Sequence, residues 1–336
     1  MTVLVVGCGS IGLRHARNLR AQGVELLVVD ADHRRAEICA KEVDAKVCGS
    51  LPEALALQPA AAFICTPSRL HLSAAMQAIQ AGCDVFVEKP ITDEMAGVAD
   101  LAAAADAAGR IVMVGYNLRF HPVLEQARRW FMEGRIGHVV SARLHVAEYL
   151  PGRHPGEDYR QTYAAQKRLG GGVILDAIHE IDYCIWFFGM PQTVSCVCGK
   201  FSAMEMDVED TAEILLSYDR MVVSINLNYL QRPRRRWCEL VGTEGTIACD
   251  LVAGSARLYQ PSATEPELFA PAFRFDELYV REAEHFLTCV QERRDPVVDV
   301  EIGAQSLLIA ECAKEASRSG RSMIPSSETV FKFANV

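Results

Sequence analysis

A short apolar run, Val3 to Val6, leads into the stretch GCGSIG and from there into Leu13 to Ala21, which carries a helical pattern. Few arrangements of a chain permit this order. The run reads as a buried strand, the glycines as a tight turn and the following segment as a helix. In such a strand, turn and helix, Gly7 permits the turn, Gly9 leaves room for a pyrophosphate, and Gly12 lets helix and strand approach closely. The phosphates would meet the N–H groups at the positive end of the helix, where Ser10 and Ile11 stand. Asp30 closes a second apolar strand, Val24 to Asp30, eighteen residues after Gly12. An acidic side chain there hydrogen-bonds the ribose hydroxyls of NAD and repels the extra phosphate of NADP. NAD is the expected cofactor and NADP the less favoured one, although Arg34 and Arg35 follow closely.

The rhythm set by this opening continues. A helix over Arg34 to Val43, a helix near Pro52 to Leu57, the strand Ala61 to Pro67, a helix over His71 to Ala81, the strand Asp84 to Pro90, a helix over Asp93 to Ala108 and the strand Ile111 to Asn117 follow in turn. Alternation of this kind predicts a parallel sheet covered on both faces, the dinucleotide-binding type of α/β architecture. From about Pro122 the pattern changes to successive strands joined by short turns, interrupted by one long helix around Leu175 to Phe187. An open sheet, largely antiparallel, is expected there, with the two closing helices packed on it or between domains. The chain is thus read as two α/β domains, residues 1–122 for the cofactor and 123–336 for substrate and assembly.

Charge and cysteine usage narrow the partners. A net charge of -9 repels nucleic acid and anionic membrane. The arginines of QRPRRRW, Gln231 to Trp237, read either as a solvated or ion-paired edge or as a docking site for an anionic substrate. No apolar stretch approaches the roughly 18 residues that span a bilayer, and the chain begins directly in strand-like sequence, so a cytoplasmic protein is expected. Its twelve cysteines are scattered in apolar surroundings and read as reduced thiols with no metal framework.

The segments FICTPSRLH and VFVEKP place Thr66, Pro67, His71, Glu88 and Lys89 at or just beyond the C-terminal ends of strands, the edge where an open parallel sheet binds its ligand. A held Lys89 ammonium could hydrogen-bond a substrate oxygen and stabilise an alkoxide. The same residues could equally be a solvated strand exit. With Gly7, Gly9 and Gly12, the TP pair, EKP, GYNLRFHP at Gly115 to Pro122, GGGVILDAIHEID at Gly170 to Asp182 and GTEGT at Gly242 to Thr246, the chain resembles the Gfo/Idh/MocA family, named for glucose-fructose oxidoreductase and inositol dehydrogenase. The resemblance spans nearly the whole chain. It implies a Rossmann domain followed by an α/β domain whose open sheet forms a homodimer or homotetramer interface. It also implies NAD(P)-dependent oxidation or reduction of a hydroxyl on a sugar, inositol or related polyol. In that family the lysine of EKP is an active-site residue, and the catalytic histidine occupies the helix that carries His179 here.

A neutral imidazole at His179 could take the proton of a substrate hydroxyl. Its plain alternative is a buried histidine satisfied by a local carboxylate. Asp176 lies three residues before it, so on one helix both would project from the same side, and Asp176 would orient His179 or bind substrate. Many relatives place the aspartate four residues before the histidine, where this chain has Leu175. Lys89, His179 and Asp176 are therefore the predicted catalytic set, with Asn117, Arg119, Tyr159 and Arg160 as further substrate contacts. Two other readings stay open: a redox-neutral, NAD-using sugar lyase or glycosidase, and a non-catalytic dinucleotide-binding regulator.

Overall fold

Val3, Leu4, Val5 and Val6 are all buried in β1 (Thr2–Val6), as a strand covered on both faces requires. The computed structural model describes residues 1–153 and 156–326. After β1 come α1 (Ser10–Ala21), β2 (Glu25–Val29), α2 (His33–Val43), β3 (Lys46–Val47), α3 (Leu51–Ala56), β4 (Ala61–Ile64), α4 (His71–Gln80), β5 (Asp84–Glu88), α5 (Val98–Ala108) and β6 (Val112–Gly115). These strands run parallel in the order β3-β2-β1-β4-β5-β6. The winding reverses between β1 and β4, and the crevice outside their C-terminal ends is where such sheets take ligands. The glycine turn leaves β1 and Thr66 leaves β4 at that crevice.

Helix starts in this region are set locally. Asp32 caps α2 by accepting from the Arg34 N–H at 3.1 Å, and Ser50 caps α3 by accepting from the Glu53 N–H at 3.3 Å. The helix expected over Asp93 to Ala108 begins only at Val98. Gly97, immediately before it, has φ 81°, a left-handed conformation that a right-handed helix cannot include.

The chain then builds α6 (Pro122–Met132), β7 (Val139–Ala147), α7 (Val173–Asp176), α8 (His179–Phe188), β8 (Thr193–Gly199), β9 (Thr211–Ser217), β10 (Val222–Asn228), β11 (Arg235–Gly242), β12 (Gly245–Asp250), β13 (Ser255–Tyr259) and β14 (Glu267–Phe269). The second sheet has the order β14-β13-β12-β11-β7-β10-β9-β8; β7 and β10 pair in parallel and every other pair is antiparallel. One face, carrying Leu144, Ile214, Ile225 and Leu240, is buried, and α6 and α8 pack on this sheet. The opposite face alternates polar with apolar residues. The single helix expected around Leu175 to Phe187 is two: Ala177, with ψ 27°, departs from helical geometry between α7 and α8. Asp176 therefore closes one helix and His179 opens the next, so the three-residue spacing does not place them as on one continuous helix.

Last come α9 (Glu277–Glu292) and α10 (Val300–Ser319). Two compact units result, Met1–Asn117 with Phe275–Ala304, and Leu118–Arg274 with the residues from Gln305 onward. Of the two placements expected for the closing helices, packing on the second sheet does not hold for α9. Its buried stripe of Leu278, Glu282, Ala283 and Phe286 belongs to the first unit, where Phe286 meets the rings of Phe63 and Phe86 edge-on at 5.4 and 5.8 Å. Phe63 and Phe86 themselves stack at 4.6 Å on β4 and β5. Truncating the central ring should cost about 3–5 kcal/mol. Phe286→Ala is therefore expected to lower stability by that amount in urea denaturation, and a loss under about 1 kcal/mol would remove α9 from this core.

Candidate active site

The three glycines of the opening turn meet different surroundings. A Cβ on Gly7, whose φ is 93°, would lie 2.7 Å from the Cys65 carbonyl oxygen, and one on Gly12 would lie 1.8 Å from the Gly7 carbonyl oxygen. Folding itself demands glycine at both. A Cβ on Gly9 would meet nothing within 4 Å. Gly9 is also the N-cap of α1 and supplies no side chain to the first-turn N–H groups of Ser10, Ile11 and Gly12. The open approach and the uncapped positive helix end suit the phosphates of a dinucleotide, so the residues present fit that group. Asp30 accepts from the Cys8 N–H at 2.6 Å and from the Asp32 N–H at 2.8 Å, which ties the end of β2 to the glycine turn.

Thr66, Pro67, His71, Glu88 and Lys89 gather at the same edge of the first sheet. His71 links two of its loops: Nε2 lies 2.7 Å from the Thr66 carbonyl oxygen and Nδ1 2.8 Å from that of Pro90. Burial pushes the His71 imidazole below its ordinary value despite these acceptors. Glu88 is buried, with Oε1 2.8 Å from His15 Nε2 and Oε2 accepting from the Lys89 N–H at 3.1 Å. Lys89 itself is half-buried. Asn117, beyond the end of β6, is buried.

In the second unit Asp176 is the hub of a polar cluster. Its carboxylate accepts from Arg153 Nη1 at 2.6 Å, from the Tyr229 hydroxyl at 3.0 Å and from the Tyr163 hydroxyl. Burial, with the Asp176 charge added, pushes the Tyr229 phenol well above its ordinary value, so it donates as a neutral hydroxyl. Burial works against the Arg153 cation, but the charge of Asp176, the Tyr229 and Tyr163 phenols and the Asp176 hydrogen bond together outweigh it and raise the Arg153 pKa. Such a carboxylate is an anchor with its lone pairs engaged. His179, also buried, is the first residue of α8.

The flanking acids of α8 are claimed too. Arg236 forms two hydrogen bonds to Glu180, at 2.7 and 2.8 Å, and Arg119 grips Asp182 through Nε at 3.0 Å and Nη2 at 2.8 Å. Burial pushes the Asp182 carboxyl up even with Arg119 beside it. Arg119 thus points its guanidinium at a protein carboxylate. Arg160 is engaged by Asp158 and Glu205, and the Tyr159 hydroxyl accepts from the Glu205 N–H at 3.0 Å. The QRPRRRW arginines divide: Arg236 is buried on Glu180, while Arg232 lies 3.1 Å over the Tyr149 ring. Sequence reasoning did not find Arg153, Tyr163, Tyr229 or the His15 contact, because none lies in a recognisable spacing with its partner. A cavity of about 550 Å³ walled by Lys167, Cys198, Lys200 and Lys314 contains none of the residues predicted for catalysis or the coenzyme.

Comparison with known proteins agrees with this geometry. Residues 1–116 match the family model described as the oxidoreductase family, NAD-binding Rossmann fold, and residues 124–248 match the GFO/IDH/MocA C-terminal domain. The scyllo-inositol 2-dehydrogenase (NAD(+)) of Bacillus subtilis (strain 168) is 26% identical, with 94% of each chain covered. The inositol 2-dehydrogenase of Acidothermus cellulolyticus is 27% identical over 94% of this chain and 92% of its own. Among solved structures, GenD2 from gentamicin A biosynthesis, in complex with NAD, superposes with a TM-score of 0.84 at 27% identity, with 96% of each chain covered. With both halves matched, a six-stranded NAD-binding Rossmann sheet and a second, mostly antiparallel sheet, the chain belongs to the Gfo/Idh/MocA family of oxidoreductases.

Proposed function

We propose that this oxidoreductase is an NAD-dependent dehydrogenase of a cyclic polyol or sugar hydroxyl, with residues 1–122 serving the coenzyme and 123–336 the substrate and assembly. The observation that carries the reading is Gly9, a glycine that its own protein does not require. The names of the inositol dehydrogenase relatives support the substrate class. Gly7, Gly9, Ser10, Ile11, Gly12, Asp30, Thr66, Pro67 and His71 would hold the coenzyme, with Glu88 and Lys89 at its reacting end. NAD bound there supplies the hydride acceptor. Lys89 hydrogen-bonds the reacting oxygen and stabilises its developing charge. His179 takes the hydroxyl proton onto an imidazole nitrogen. Asp176, hydrogen-bonded by Arg153 and two phenols, positions the segment that carries His179.

The protein is further proposed to work in the cytoplasm, where its twelve free thiols would stay reduced, and to assemble as a homodimer or homotetramer. The face of the second sheet opposite α6 and α8 supports assembly: among the described residues, Val197, Leu215, Val222 and Tyr259 point from it with 64, 44, 40 and 44% exposure. Such a patch on a strand array favours a second copy of the same surface.

Three measurements test these roles. Lys89→Ala and His179→Ala are each expected to lower kcat for an inositol or sugar at least about 100-fold while calorimetric NAD affinity is kept; parent-level turnover in either removes that residue from the chemistry, and turnover without NADH accumulation replaces net oxidation by the redox-neutral reading. Gly9→Ser, which introduces a favoured N-cap residue, should leave stability within about 0.5 kcal/mol and weaken NAD at least about tenfold. Leu215→Asp with Val222→Asp should yield a monomer by light scattering with unchanged circular dichroism, and an oligomer of parental mass would exclude this face.

A further inference from the structure

Three titratable side chains of the first unit converge in its core. His15 of α1, Glu88 of β5 and Glu282 of α9 are 0, 8 and 0% exposed, and their polar atoms lie within 4.8 Å of one another. The rings of Phe63, Phe86 and Tyr279 surround His15 at 5.3, 5.1 and 5.8 Å. A carboxylate is expensive in such a place unless something fixed accepts its charge. The 2.8 Å from His15 Nε2 to Glu88 Oε1 is a hydrogen-bond length, shorter than two atoms sharing a metal ion would usually keep.

The consequence falls on the next residue. Glu88, gripped by His15 through one oxygen, accepts the Lys89 N–H with the other at 3.1 Å. On the far side of Lys89, the Pro90 carbonyl oxygen lies 2.8 Å from His71 Nδ1. The backbone is therefore pinned immediately before and immediately after the lysine. We propose that His15 and Glu88, with His71 on the opposite side, are positioning residues that fix the direction of the Lys89 ammonium toward the reacting oxygen. The proposal rests on the reading of Lys89 given above.

The charge state of Glu88 makes the clamp testable. Burial pushes its carboxyl up, but the His15 hydrogen bond and charge, joined by Lys89, outweigh this and hold it below its ordinary value. The groups facing it are His15, Glu282, Cys65, His71, Lys89 and Tyr279, the last with Arg14 over its ring at 4.6 Å. A depressed carboxyl keeps its interaction above its folded pKa and loses it as pH falls through that value. Without His15, burial remains and the loss occurs at higher pH.

His15→Leu is the test, read by kcat, KM, the pH profile of kcat, thermal unfolding and calorimetric NAD affinity. Turnover should fall at least about tenfold, as expected for a displaced catalytic group, with NAD affinity within twofold of the parent and the acid limb moved to higher pH. His15→Gln, which keeps a donor facing Glu88, should recover most of the loss. If His15→Leu does not fold, Glu88→Gln takes its place and should lower turnover likewise, leaving only the acid limb that protonation of His179 sets. Parental turnover with an unmoved acid limb overturns the clamp, as does an equimolar metal ion that a chelator removes together with activity. Lys89→Ala separates the two levels: an inactive Lys89→Ala beside a normal His15→Leu sinks the clamp alone, whereas an active Lys89→Ala sinks the reading beneath it.

Discussion

The approach of Gly12 to the Gly7 carbonyl governs the first unit. With no side chain between them, α1 lies directly on the strand it follows, and its N-terminus opens at the sheet's crevice. The same closeness acts one turn further along. His15 stands three residues after Gly12, on the same side of the helix, and reaches the core to meet Glu88 at the end of β5. One steric condition thus shapes the open N-terminal end of the helix and the anchoring of the strand that carries Lys89. The aromatic stack of Phe63, Phe86 and Phe286 closes the unit around this contact.

A different principle organises the segment DAIHEID in the second unit. Its three acids, Asp176, Glu180 and Asp182, are each met by an arginine from another part of the chain, Arg153, Arg236 and Arg119. Buried pairs of this kind contribute little net stability, since desolvation offsets most of the attraction. Their effect is geometric. Bidentate guanidinium contacts fix α8 in rotation and along its axis, and His179 lies between the fixed points. Asp176, bound by Arg153 and two tyrosines, matches the break at Ala177: its side chain is directed into that cluster and does not continue the register of α8.

Much of this was legible in the chain. The first sheet could be read because buried strands, glycine turns and amphipathic helices carry local signatures, and Gly7, Gly9, Gly12 and Asp30 announced their places. Where Gly97 delays α5, the glycine was visible but its left-handed conformation was not. The placement of α9 was hidden because an apolar stripe says that a helix is buried, not against which sheet. The partners of Asp176 were hidden for a related reason: Arg153, Tyr163 and Tyr229 lie 23, 13 and 53 residues away in sequence, and only folding brings them together. The arginines around Pro233 read as one charged cluster, but strand alternation sends Arg236 inward to Glu180 and leaves Arg235 outside.

Asp30 does two jobs with one carboxylate. Besides its proposed place at the coenzyme's ribose, it accepts the Cys8 N–H inside the glycine turn and the Asp32 N–H at the start of the next helix. Redirecting the enzyme from one nicotinamide coenzyme to the other by exchanging this residue for a neutral or basic one would therefore strip two amide groups of their acceptor at the same stroke. On the proposed reading, selectivity and local rigidity are coupled through a single side chain, and a successful redesign would have to graft a replacement acceptor for residue 8 before altering the charge at residue 30.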